Sequence, residues 1–107
     1  MAEIPHLIKT ALSDYITKLS QEINIRAAVL FGSYATGQWN NESDIDIAIF
    51  SDNFSNMERV EALTFLLNKA TPYHLDIQPL AYDADDFEHE DDNPFIHEIM
   101  TTGIKIA

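Results

Sequence analysis

The chain has 107 residues, and 18 acidic against 6 basic side chains give a formal charge of −12 with His neutral. That length suits one domain spanning 1–107, and 46% apolar with 22% charged residues is enough to bury a core. The absence of Cys excludes disulfides and thiolate metal sites.

No apolar run approaches the ~20 residues of a membrane span, and the first residues lack a charged-then-apolar leader. A soluble cytoplasmic protein that engages no membrane is expected. The six bases, Lys9, Lys18, Arg26, Arg59, Lys69 and Lys105, are scattered. A direct nucleic-acid surface needs clustered bases to displace counterions, so it is disfavoured. A basic protein partner suits the negative field better.

In chain order, Leu7, Ile8, Ala11, Leu12, Tyr15, Ile16 and Leu19 recur at helical spacing, with Pro5 in the first turn. Ile25–Phe31 reads as a strand ended by Gly32. Asp44–Phe50 alternates, with Asp44, Asp46 and Ala48 facing one way and Ile45, Ile47 and Ile49 the other. Ser55–Ala70 reads as a helix opened by a Ser55/Glu58 capping box, its inner face Val60, Leu63, Leu66, Leu67 and Ala70. Thr71-Pro72 stops it. His74–Leu80 is a third strand carrying Asp76, and Pro79 suits an edge. Asp83–Asp92 reads as a solvated acidic loop or short turn. Phe95–Thr102 returns to helical spacing, with Gly103 as its C-cap.

The full helix between the second and third strands suits a parallel crossover, whereas Gly32–Ser43 is short for one and implies antiparallel pairing. An α/β (α+β) fold follows: a small mixed sheet with helices packed mainly on one face.

The chemistry concentrates in Gly32–Asp46, GSYATGQWNNESDID. Asp44 and Asp46 share a strand face, roughly 6–7 Å apart at the backbone. Two carboxylates so placed repel and raise a pKa unless a cation sits between them, and Mg²⁺ is the hard-oxygen ion that also bridges phosphates. If the third strand runs parallel beside the second, Asp76 comes level with them, and three acids suit one or two divalent ions. Antiparallel pairing brings Gly32-Ser33 beside the acids. There Gly32 lets a phosphate near the backbone, and Ser33 offers an N–H and a hydroxyl at the start of a short helix. Gly37 permits a left-handed bend.

Other motifs fail on the letters. Gln38-Trp39 follow where a Walker A loop needs Lys-Ser/Thr. The acidic run has Glu88 where an EF-hand loop needs Gly. The bland readings are surface acids for Asp44, Asp46 and Asp76, an N-cap for Ser33, unclustered surface sites for His6, His74, His89 and His97, and core for the apolar stripes. Phe95, Ile96 and Met100 can also extend into an interface, and Trp39 suits either a base or the sheet edge.

Gly32-Ser33, ten residues, Asp44-x-Asp46 and the later strand acid Asp76 resemble the signature of the DNA polymerase β nucleotidyltransferase superfamily. The short chain is similar to its minimal members, in particular the MntA-type antitoxins encoded beside HEPN toxins. The ending from Pro94-Phe95 through Glu98-Ile99 to Gly103 resembles their C-terminal helix, so the likeness runs from about Ile25 to Gly103. It implies a nucleotidyltransferase fold in which Asp44 and Asp46 hold catalytic Mg²⁺. Asp76 would bind one ion and help deprotonate the acceptor, and Gly32 and Ser33 would hold the triphosphate of ATP. It implies transfer of AMP to a Tyr of a HEPN-type RNase toxin, with which the chain forms a hetero-oligomer. The sequence departs from the pattern at Thr36, where many relatives carry Arg. The alternative is an antitoxin that neutralises by binding alone, its metal site vestigial. Transfer to RNA or an antibiotic fits the negative field less well.

Overall fold

The computed structural model describes residues 4–107. Its centre is a four-stranded mixed sheet in the order β3-β2-β1-β4. The strands β1 (Ala27–Phe31) and β2 (Ile45–Phe50) are antiparallel, with Ala27 opposite Phe50 and Phe31 opposite Asp46. Strand β3 (Ile77–Tyr82) runs parallel to β2, Ile45 opposite Ile77 and Phe50 opposite Tyr82. Both pairings follow the connection lengths, and Pro79 sits on the edge strand as its missing N–H requires. A two-residue strand, β4 (Ile104–Lys105), adds antiparallel to the free side of β1. The sequence reading lacked it, because two residues carry no period.

Two long helices, α1 (His6–Ser20) and α3 (Arg59–Ala70), cover one face. Ile8, Leu12, Tyr15 and Leu19 of α1 and Ala62, Leu66 and Ala70 of α3 close over Ala28, Leu30, Ile45, Ile47 and Ile49. Each large side chain buried there is worth about 1.5–3 kcal/mol. The fully buried Tyr15 donates its hydroxyl hydrogen bond to the Leu66 carbonyl at 2.8 Å, locking the two helices together. The opposite face carries a smaller cluster of Ala27, Val29, Ala48 and Phe50 beneath α5 (Pro94–Thr102), with Phe87 of α4 (Ala84–Glu88) packed at its side. A four-residue helix, α2 (Ser33–Thr36), follows β1.

Local details correct the sequence reading. Helix α3 starts at Arg59 with Glu58 as its N-cap, so there is no Ser55/Glu58 capping box. Ser55 lies in a 3-10 turn, Asp52–Asn56, and donates to the Asp52 carbonyl. The capping box belongs to α4, where Asp83 and Asp86 cap each other's backbone. The acidic run therefore opens as the helix α4, which Phe87 anchors to the sheet, and is the expected short turn only at its end, the 3-10 turn Glu90–Asp92. Val60 and Leu67, read as inner-face residues, are exposed, and so is Leu7 of α1. Pro5 stands at the cap, one residue ahead of α1. Strand β3 begins later than read, because His74 takes a left-handed φ of 53° after the 3-10 turn Thr71–Tyr73.

Two glycines are required for different reasons, one for its backbone angle and one for space. Gly37 ends α2 at φ 84°, the left-handed bend the sequence anticipated. Gly103 caps α5 with an extended backbone, φ −84°. Its requirement is space: a Cβ there would lie 2.6 Å from Val29 Cγ1 and 2.8 Å from the Leu30 carbonyl oxygen. This contact lets the chain turn from α5 directly into β4.

Candidate active site

Antiparallel pairing of β1 and β2 fixes the site, because the last residue of β1 lies opposite Asp46. Gly32 follows at once with φ 75° and ψ −152°. A Cβ on Gly32 would stand 2.3 Å from Asp46 Oδ2. Backbone conformation and carboxylate contact thus demand glycine independently. Ser33 opens α2, and its carbonyl accepts from the N–H groups of Gly37 and Gln38, both at 3.0 Å. The turn is thereby pinned beside the acids.

Asp46 is half-buried and Asp44 exposed. Burial, and then the neighbouring Asp44 charge, hold the Asp46 carboxyl above its ordinary range. The oxygen-only donors and this uncompensated repulsion fit a hard divalent cation, which would relieve both.

Asp76 stands one residue before β3. Its carbonyl accepts from Ile45 N at 2.7 Å, and a tight turn from Leu75 O to Ile77 N, 2.9 Å, closes around it. Extending the β2–β3 register by one pair sets Asp76 opposite Asp44. Its side chain is exposed. The three aspartates therefore share one sheet edge, but in an open arrangement. Among the described residues, the group of three whose ligand atoms lie within 4.8 Å of one another is Glu90, Asp91 and His97. His97 is thus clustered, contrary to the sequence reading, through an exposed contact of 3.2 Å between its Nδ1 and an Asp91 carboxylate oxygen.

A cavity of about 370 Å³ opens beside this edge. Gly32, Ser33, Thr36 and Gln38 form one wall, Phe95, Glu98 and Thr102 of α5 the other, with Phe31 and Ile99 beneath. Its size lies in the range of small-molecule sites. Phe95 meets Phe31 edge-on at 6.2 Å. The sequence reading missed Glu98, Thr102 and Gln38 as site residues. The available signal was the spacing of Phe95, Glu98 and Thr102, which puts them on one helix face. Trp39 does not line this cavity. It stacks on Tyr34, centroids 5.4 Å apart and planes 9° apart, and packs against the core under α1 and α3.

The mixed sheet thus sets acids at the start of β2 across from a Gly-Ser turn that lines a cavity. The sequence profile described as "Polymerase beta, Nucleotidyltransferase" matches residues 14–107, so the chain belongs to that family. It is 26% identical over 105 residues to a Methanocaldococcus jannaschii protein named "Putative protein adenylyltransferase", covering 97% of this chain and 99% of the relative. A Sulfolobus solfataricus crystal structure described as a "putative nucleotidyltransferase" shares the fold, with TM-score 0.58 and 15% identity over 92% of this chain and 75% of that one. Among the described residues, no helix is long and apolar enough to cross a membrane.

Proposed function

We propose that this nucleotidyltransferase is a Mg²⁺-dependent protein adenylyltransferase. It moves AMP from ATP to a tyrosine of a HEPN-type RNase toxin and so acts, in the cytoplasm, as that toxin's antitoxin. The observation that carries the reading is the packing of Gly32 against the Asp46 carboxylate, with Gly32 and Ser33 both lining the cavity. The relative named as a protein adenylyltransferase supports the choice of a protein acceptor.

Asp44 and Asp46 would hold the metal, with Asp76 completing the ligand set. The ion, when bound, supplies charge stabilisation to the phosphoryl oxygens and to the attacking oxygen. Gly32 and Ser33 present backbone and hydroxyl to the triphosphate. The acceptor oxygen forms a bond to the α-phosphorus, the bond from that phosphorus to the β-bridging oxygen breaks, and pyrophosphate leaves. Tyrosine titrates near ~10, so its proton needs an acceptor at neutral pH, and Asp76 takes that role.

Incubation with ATP, Mg²⁺ and the protein encoded by the adjacent reading frame tests this. A nucleotide-sized mass gain on a partner tyrosine is expected, and its loss in Asp44→Asn. The absence of any gain on that partner overturns the reading.

Neutralisation by binding alone is the second reading. It is favoured by an apolar groove between α1 and β4 lined by Ile4, Leu12, Ile16, Ile104 and Ile106, a surface the chemistry does not use. Neutralisation that persists in Asp44→Asn/Asp46→Asn would select it.

A further inference from the structure

The cavity beside Gly32 contains a carboxylate, Glu98, and no cation among its lining residues. All six bases of the chain lie among the described residues, and each is placed elsewhere. Lys18 pairs with Asp14 at 3.4 Å, Arg26 with Glu88 at 2.5 Å, and Lys69 with Glu22. Lys105 rests 5.6 Å from the Phe87 ring centroid. Arg59 opens α3 near Tyr82, at the end of β3 remote from Asp76. Lys9 belongs to the groove between α1 and β4.

A triphosphate held along the Gly32-Ser33 wall of this cavity would meet Glu98 on the opposite wall, with the Asp46 carboxylate packed against Gly32. Divalent ions offset the charge of the phosphates, but the carboxylates beside them then have no side-chain counter-charge from this chain. Phosphoryl-transfer sites use a basic side chain to stabilise the phosphoryl charge, and some take it from a second protein. A guanidinium suits the position because its planar fork can serve a carboxylate and a phosphate together.

We propose that the site is completed in trans. The acceptor protein inserts an arginine between Thr36 and Glu98, so nucleotide is held tightly only when acceptor and enzyme are together. Glu98 orients the incoming guanidinium, and Thr36 leaves room for it. The chain's charge of −12 draws in a basic acceptor. This deepens the reading under Proposed function and rests on it.

The test is Mg·ATP binding followed by calorimetry, with Mg·ATP and two synthetic tyrosine peptides as probes. One peptide carries arginine next to the tyrosine and the other carries citrulline there. Thr36 is exposed, so its variants should fold. Thr36→Arg supplies the cation in cis and should tighten Mg·ATP binding about tenfold, whereas Thr36→Gln should not. Glu98→Gln, which removes the repulsion, should tighten it roughly threefold. The arginine peptide should tighten binding to the wild type but not to Thr36→Arg, and the citrulline peptide to neither. Equal effects of the two peptides on the wild type, or equal affinities of Thr36→Arg and Thr36→Gln, overturn the trans cation. Mg·ATP binding that is unchanged in Asp44→Asn overturns the reading of the site itself, so the two failures are separable.

Discussion

The two faces of one sheet are built on opposite terms. Alternate residues of β2 supply both. Ile45, Ile47 and Ile49 enter the large core under α1 and α3, whereas Ala48 and Phe50 enter the smaller cluster that includes α5 residues. On this second face the apolar cover stops short of the edge, so Asp46 stays half-buried and Asp44 exposed. The first face spends its residues on stability. The second leaves a carboxylate pair uncompensated and a cavity open, which a fold can tolerate only when the other face is well packed.

Two substitutions separate the roles of the faces most clearly. Leu66→Ala empties a fully buried position on the packed face. It should cost about 2–5 kcal/mol in denaturant unfolding, with activity per folded molecule intact. Asp46→Asn on the open face should do the reverse. AMP transfer, read by mass spectrometry of the acceptor, should fall by about 10²–10³ while the unfolding midpoint holds or rises. If both substitutions lower stability equally, the division of labour between the faces is wrong.

Gly32→Ala joins the two effects at the seam. The alanine must adopt φ 75° and its Cβ would displace the Asp46 carboxylate. The backbone alone accounts for about 1–2 kcal/mol of lost stability. Transfer should be lost together with Mg²⁺ binding, since the carboxylate moves. Retained metal affinity with wild-type turnover would show that the Gly32–Asp46 contact does not set the site.

Much of this arrangement was legible in the letters. DIDIAIF alternates, so its two faces and the placement of Asp44 and Asp46 could be read directly. The lengths of the connections gave strand direction, and direction brought Gly32 to Asp46. What escaped depends on contacts distant in sequence. Glu98 and Thr102 line a cavity whose other wall lies sixty or more residues away, and no local pattern reports that. The Ser55/Glu58 pair has the capping spacing, but Ser51 already caps a 3-10 turn there, accepting from Asn53 N at 3.2 Å. Asp83 and Asp86 have the same spacing and do form the box. A spacing rule cannot choose between them, because the choice rests on which segment reaches the sheet.

The smallest effect tests the open face most directly. The Asp46 carboxyl is held above its ordinary range, by burial first and by Asp44 second. For an acid whose pKa is higher folded than unfolded, the unfolded chain releases its proton first as pH rises. The group therefore lowers stability at neutral pH, and the penalty fades as pH falls through the raised pKa toward the ordinary carboxylate value. Asp46→Asn should consequently be slightly more stable than wild type at pH 7, the two converging on acidification through that window, as followed by urea midpoints. Added Mg²⁺ should restore the wild type at pH 7 by binding only the folded state, and should leave Asp46→Asn nearly unchanged. A gap that instead widens toward low pH, or a variant that gains as much from Mg²⁺ as the wild type, would mean that the repulsion at this edge is not what a cation relieves.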